Sequence, residues 1–434
     1  MSIGLLLASP SCGGTAGDIE QGETQDGADN GDTESDESAE SSDSGAEGYF
    51  STDERSVIVG WFGDIPGDPP EDPTNAWSLD PLAQALGHAL FFDAALSPAE
   101  ETSCASCHAP DLAFDDPQGR AGRRTPMALL NVAYPASPTV LATWQGWGGT
   151  ADSPWGQALG CLESSDGMGT SRVDVALRVA TNHRSAYEAA FGPLPSLFDD
   201  EFDPASIEPG SSDWEVASEV FVGAGKALGA YTGQLVSRDS RFDQFRAELQ
   251  AGAIDSDLLN DEEKLGLRTF IGNGRCLGCH RGPNFTDGQF HNIGVAEQDA
   301  PDQGRREGLQ TLLESEFGCD GAWSDAPASH SCGGSVLGPN DGEIGAFKTP
   351  TLRDVSRRAS YMHTGAFTSL ADVVAHYDAG GAPTSSFSGA KDELIRLLQL
   401  TGQERAALVA FLGSLEGTPL PPELITPPET QTER

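Results

Sequence analysis

With 434 residues and a formal net charge of −42, the chain is longer than one hydrophobic core sustains and too acidic to hold nucleic acid phosphates or anionic lipid headgroups. Its 67 acidic residues against 25 basic ones suit a basic protein partner better. Beyond the first dozen residues no apolar run approaches about 20, so no membrane span is expected.

Met1 to Cys12 reads MSIGLLLASPSC, an apolar run followed by small residues and a cysteine. Residues 1–12 have the shape of a lipoprotein signal with an acylated Cys12, or of an ordinary secretory signal whose start is misassigned. Ser9, Pro10 and Ser11 match the first pattern loosely, and no basic residue precedes the apolar run. Residues 13 to 54 hold no Lys or Arg and almost nothing large and apolar before Tyr49 and Phe50, so 13–60 is expected to be a disordered acidic tether.

Leu82 to Phe92 (LAQALGHALFF) has apolar residues at helical spacing, and Trp214 to Phe245 reads as a long helical stretch that breaks near Ser237. Asn260 with Glu263 three residues on starts a helix that ends at Gly272, and Thr401 with Glu404 caps Gln403 to Leu415. Strand signals are few, and the loops are rich in Gly, Pro and Asp. The expected fold is mainly α, with one domain over 61–250, a second over 251–418, and an unpacked Pro-rich tail over 419–434.

Four of the eight cysteines fall in two CxxCH strings, Cys104-Ala-Ser-Cys107-His108 and Cys276-Leu-Gly-Cys279-His280. This spacing is the signature of c-type haem attachment: two thiols add to the porphyrin vinyl groups, and the histidine that follows becomes the proximal iron ligand. A zinc site built from two CxxC knuckles, or a thioredoxin-like pair, is the alternative. It does not call for a histidine after each second cysteine, and the pairs stand 172 positions apart. Haem c is attached outside the cytoplasm in bacteria, which places the chain in the periplasm or cell envelope. Cys319 and Cys332 bracket a polar insertion and are expected to form a local disulfide, leaving Cys161 as a buried thiol.

The surroundings of the two strings repeat weakly. SCASCHAPDLAFDD around the first resembles GRCLGCHRGPNFTDG around the second, with Phe114 and Phe285 at nearly the same offset. A duplicated cytochrome c unit follows: two cytochrome c-like helical domains with long loops, each around one covalent haem.

LGHALFFDAALS before the first string, LLNVAY at 129–134, GPNFTDGQFHNIGV after the second, FKTPTLRDV at 347–355, YMHTGAF at 361–367 and VVAHYDAGG at 373–381 together resemble the bacterial di-haem cytochrome c peroxidases and their MauG relatives over roughly residues 65–418. The resemblance implies that peroxide reacts at the N-terminal haem while the C-terminal haem takes electrons from a small donor. Within WGGTADSPWGQALG it implies that Trp147 lies between the haems and that Gln157 orients peroxide by hydrogen bonding. Core packing is the other role open to Trp147.

The chain departs from this pattern in several places. Trp147-Gly148-Gly149-Thr150 stands for Trp-Asp-Gly-Arg, and Gly167 stands where the family carries its proton-shuttling glutamate, with Asp166 alongside as the available substitute. Arg124, Arg358 and Ser360 replace an asparagine, a threonine and a proline of the family's calcium site, so no calcium is expected. No histidine occurs between Ala109 and Asn182, which implies a first haem with an open distal face or a water, as in MauG.

Two residues compete for the sixth position of the second haem: Tyr377, where alignment places the peroxidases' axial methionine and MauG's tyrosine, and Met362. A thioether raises the reduction potential and a phenolate lowers it. His88, His183, His291, His330, His363 and His376 read as structural residues. The expected activity is hydrogen peroxide reduction with electrons from a small donor protein of cytochrome c or cupredoxin type. A MauG-like oxidase of an organic or protein substrate and a non-catalytic electron carrier are the alternatives. Lipid attachment at Cys12 and a homodimer both remain open.

Overall fold

Side-chain caps set most of the helix starts. In the computed structural model, which describes residues 48–116, 124–135, 144–199, 203–297, 300–332 and 338–429, Ser51, Asn260 and Thr401 each accept the N3 amide while the N3 Glu reaches back. Asp80, Ser153, Ser171, Ser211 and Ser369 cap with their side chains alone. The described helices are α1 (Thr52–Trp61), α2 (Pro81–Phe92), α3 (Cys104–Cys107), α4 (Pro154–Glu163), α5 (Arg172–Asn182), α6 (Arg184–Phe191), α7 (Ser212–Thr232), α8 (Arg241–Gln250), α9 (Asp261–Ile271), α10 (Arg305–Glu314), α11 (Leu370–Asp378), α12 (Gly402–Gly413) and α13 (Pro422–Ile425). The expected helices at 82–92, 260–272 and 403–415 are present, and the long stretch breaks between α7 and α8, around Ser237. One two-stranded antiparallel ribbon joins β1 (Phe290–His291) to β2 (Phe347–Lys348), with Phe290 opposite Lys348.

Among the described residues two large hydrophobic cores form within Ala46–Arg434, beside a small cluster of Trp144, Leu309 and Leu312. The first gathers Leu86, Leu90, Trp155, Leu159, Val179, Phe221 and Tyr231 from α2, α4, α5 and α7. The second is aromatic: Phe62 lies 4.9 Å from Phe285, and Phe242 meets Phe411 edge-on at 5.5 Å. Each fully buried side chain of this kind contributes about 1.5–3 kcal/mol relative to exposure.

The cores share a construction. A Cβ on Gly87 of α2 would lie 1.9 Å from the Ala227 carbonyl of α7, and one on Gly266 of α9 would lie 2.0 Å from the Ala407 carbonyl of α12. In both cores a glycine lets two helix backbones touch where they cross.

Three expectations about order and packing change. Phe50, Ile58 and Phe62 are buried in the second core, so α1 replaces the last part of the expected 13–60 tether. The Ser51–Glu54 capping box, followed by apolar residues four apart at 58 and 62, is a helix signal that the acidity upstream obscured. Phe242, Phe245 and Leu249 of α8 also join the second core, so the change of core falls between α7 and α8, ahead of Gln250. In the expected flexible tail, Leu420, Leu424 and Ile425 pack on the first core, and Tyr231 Oη donates to the Leu424 carbonyl at 2.6 Å. Residues 1–47 and 430–434, with Cys12 and most of the tether, lie outside the described residues.

Candidate haem sites

After each CxxCH string the chain turns back and presents a carbonyl to the histidine. Nδ1 of His108 lies 3.2 Å from the Phe114 carbonyl oxygen, and Nδ1 of His280 lies 2.9 Å from that of Phe285. A carbonyl only accepts, so Nδ1 carries the proton; this leaves Nε2 of His280 its lone pair for a metal, while His108 also has the Met127 backbone within reach. Phe114 and Phe285 sit at φ +60° and +50°, a conformation that costs a bulky residue energy and turns the carbonyl toward the ring. Burial lowers the pKa of both imidazoles and keeps them neutral. It also pushes the Cys104 and Cys276 thiols up to about 12. In both motifs the histidine amide bonds the first cysteine's carbonyl at 2.9 Å, closing one turn that brings Cys, Cys and His together.

These residues fit a covalently attached haem: two thiols, an imidazole oriented by a carbonyl, and at the second motif an apolar cavity lined by His280, Leu352, Leu398, Met362 and Tyr377. Among the described residues no group of metal-binding side chains joins the two CxxC pairs. The structure brings both candidates for the sixth position to this cavity. Tyr377 comes from α11, and Met362, at φ +68°, from a loop closed by the Tyr361–Phe367 bridge. Burial, and then the neighbouring Cys279 and Cys276, raise the Tyr377 phenol.

Trp147 lines the same cavity from a loop closed by the Gln145–Ala151 bridge. Its Nε1 donates to the Thr125 carbonyl at 2.7 Å, its own carbonyl accepts from Lys348 N at 2.9 Å, and its ring lies 6.3 Å from His363. Gln157, on α4, accepts from Thr150 Oγ1 at 3.0 Å and donates through Nε2 to Cys161 Sγ at 3.2 Å. Cys161, expected to be buried, is an exposed residue one turn further along α4; the loss of hydration around its thiol, and then the neighbouring Cys107, raise it, while Cys161 in turn adds to the rise that burial gives Cys104.

Asp166 is exposed, and no hydrogen bond joins its carboxylate to Gln157. A Cβ on Gly167 would lie 2.1 Å from the Cys161 carbonyl, which already accepts Met168 N, so the loop has closed over the space a glutamate there would need.

The expected calcium region holds arginines in its place. Arg124 grips Asp302 through Nε (2.9 Å) and Nη2 (2.5 Å) and reaches Glu307 at 3.2 Å. Arg358 Nη2 occupies the Thr351 and Arg353 carbonyls. A guanidinium on those oxygens repels a dication, so these residues do not fit calcium. Cys319 and Cys332 are disulfide-bonded, as their spacing suggested. His183 pairs with Asp93, His376 with the Ile293 carbonyl and His88 with that of Thr426, all in structural roles.

A family model described as di-haem cytochrome c peroxidase matches residues 81–251. A cytochrome-c peroxidase, IdrP1, of Denitromonas iodatirespirans is 30% identical over 77% of this chain and 81% of its own length. The methylamine utilization protein MauG of Methylorubrum extorquens is 31% identical over 79% of this chain and 80% of its own. The chain belongs to the di-haem cytochrome c peroxidase and MauG family. Its fold matches the diheme peroxidase BthA of Burkholderia thailandensis with a TM-score of 0.58 at 23% identity, covering 84% of this chain and 98% of that one. Membership implies two c-type haems, in line with the two motifs. No described helix is long and apolar enough to cross a membrane.

The sequence had marked Phe114 and Phe285 as a repeat without showing their task, which depends on backbone conformation. It had set Arg358 in a calcium region and His363 among structural residues and gave Lys348 no role; that all three line one cavity depends on loops and a strand end whose meeting no periodicity signals.

Proposed function

We propose that this protein is a di-haem c-type oxidoreductase of the cell envelope, with haems attached at Cys104, Cys107 and His108 and at Cys276, Cys279 and His280. The repeated imidazole-to-carbonyl contact, to Phe114 and to Phe285, carries this reading. Thioether attachment and the Cys319–Cys332 disulfide both belong to an oxidising compartment.

When bound, the haems supply iron that passes single electrons between the two sites and, at the first, reduces hydrogen peroxide with two electrons and two protons to two waters. The residues of the chain position the reactants. Gln157 Nε2 carries protons that hydrogen-bond a peroxide oxygen in place of the Cys161 sulfur. Trp147, anchored at both its indole and its carbonyl, holds a fixed aromatic ring beside the second site, on the way to α4. Tyr377, on the wall of the second cavity, would hold the iron of a haem bound there, with Met362 the competing donor. A small basic protein of cytochrome c or cupredoxin type serves as electron donor to this acidic chain.

A second reading, a MauG-like oxidase of an organic or protein substrate, is favoured by Tyr377 and by the closed loop at Gly167, which leaves no glutamate to move the peroxide proton. Stopped-flow spectra of the purified protein with peroxide, with and without a reduced cytochrome donor, separate the readings. Rapid consumption only with the donor supports the peroxidase. A long-lived two-equivalent oxidised state supports the oxidase. An unchanged Soret band without turnover would leave an electron carrier.

A further inference from the structure

Two half-buried cations line the cavity of the second motif, and among the described residues neither forms an ion pair. Lys348 ends β2 and lines the cavity. Its backbone amide is used by the Trp147 carbonyl, yet among the described residues no hydrogen bond or ion pair reaches its Nζ. Lys348 is half-buried, and its burial alone pushes it down to about 8, with no neighbouring charge acting against that. Arg358 lines the same cavity. Its Nη2 is spent on two carbonyls, while its Nε is buried without any partner. Burial lowers the Arg358 guanidinium, and the carboxylates of Asp115 and Asp354 counter this from nearby without an ion pair to it; Asp115 already accepts the amides of Ala359 and Ser360.

Drawing a cation even partly out of water without an ion pair costs free energy, and a bound group that brings an anion to the cavity offsets that cost. The rest of the wall includes Leu352, Leu398 and Leu412. A ligand suited to it is apolar over most of its surface and carries carboxylates at an edge, which is the chemistry of a porphyrin with its two propionates. We propose that Lys348 and Arg358 anchor the propionate carboxylates of the second haem, a role that rests on the di-haem reading above. Arg358 stands where the resemblance places a calcium-site threonine, so in this chain a guanidinium that cannot lose its charge takes over at a position the family uses for a dication.

The reduced haem carries one negative charge more than the oxidised one, so neighbouring cations favour reduction. Lys348→Met is expected to shift the reduction equilibrium of the second haem about tenfold toward the oxidised form, about 59 mV for one electron, and leave the first haem's unchanged. Lys348→Arg is expected to restore it. Potentiometric titration of each haem, with the propionate bending bands in resonance Raman spectra as a second readout, reads the effect in protein whose mass shows both haems attached. Arg358→Gln is the parallel variant; should it fail to fold, the two lysine variants decide. An unmoved second-haem potential with unmoved propionate bands in Lys348→Met, or a shift confined to the first haem, would overturn the proposal. Wild-type protein whose mass shows no haem would instead overturn the functional reading on which it rests.

Discussion

Arg353 holds Asp243 through two parallel hydrogen bonds, Nη1 to Oδ2 at 2.8 Å and Nη2 to Oδ1 at 2.9 Å, with the arginine side chain fully buried. The same guanidinium donates from Nε and Nη2 to the Pro283 carbonyl, two residues before the Phe285 that orients His280. The start of α8 is thereby tied to the loop that shapes the second haem site. Removing one partner of such a pair leaves a buried charge unmatched.

Asp243→Asn should therefore lower unfolding stability by about 3–5 kcal/mol, measured by denaturant titration of the holoprotein. Burial alone would raise the Asp243 carboxyl, but Arg353 and the Ser240 cap outweigh it and hold it below the ordinary carboxylate range. A lowered folded-state value means that the pair's contribution is present above the unfolded value near about 3.9 and is lost as pH falls through the lowered one. The wild type should lose this share of its stability below about pH 4, and the variant should show a flatter acid limb.

Electron paramagnetic resonance of the resting oxidised protein tests the sixth ligand. Tyr377→Phe should convert the second haem's low-spin signal to high-spin, whereas Met362→Leu should leave it in place. The reverse pattern would assign Met362.

Gly167→Glu should not raise the peroxide rate. The new Cβ would meet the Cys161 carbonyl at 2.1 Å, and the backbone shift that relieves this is expected to cost about 1–3 kcal/mol, seen as a lower melting temperature. A large gain in rate would show instead that the loop reopens readily and that the missing proton shuttle limits the site.

The helix crossings make a paired prediction. Gly87→Ala and Gly266→Ala should each destabilise by about 1–3 kcal/mol or more, because a methyl group there meets the carbonyl of the crossing helix. Gly413→Ala, at the end of α12 with no atom within 4 Å of the added carbon, should be neutral or stabilise by about 0.4–1 kcal/mol. Thermal unfolding of the three variants decides.

What the chain states on its own is local. A capping box such as Asn260 with Glu263, apolar residues at helical spacing in 82–92, and CxxCH with its histidine all lie within a few residues of one another, so the covalent chain itself brings them together. The family motifs added an order of parts, with Trp147, Gln157 and Tyr377 among them. Tertiary structure decided which distant segments meet: α1 packs in the second core although it precedes the first motif, and α13 returns from the C-terminus to the first. It also decided that Gly167 faces a carbonyl and that Lys348 and Arg358 share one cavity. Such contacts arise when buried surface and buried charge find partners across hundreds of residues, and no spacing along the chain encodes them.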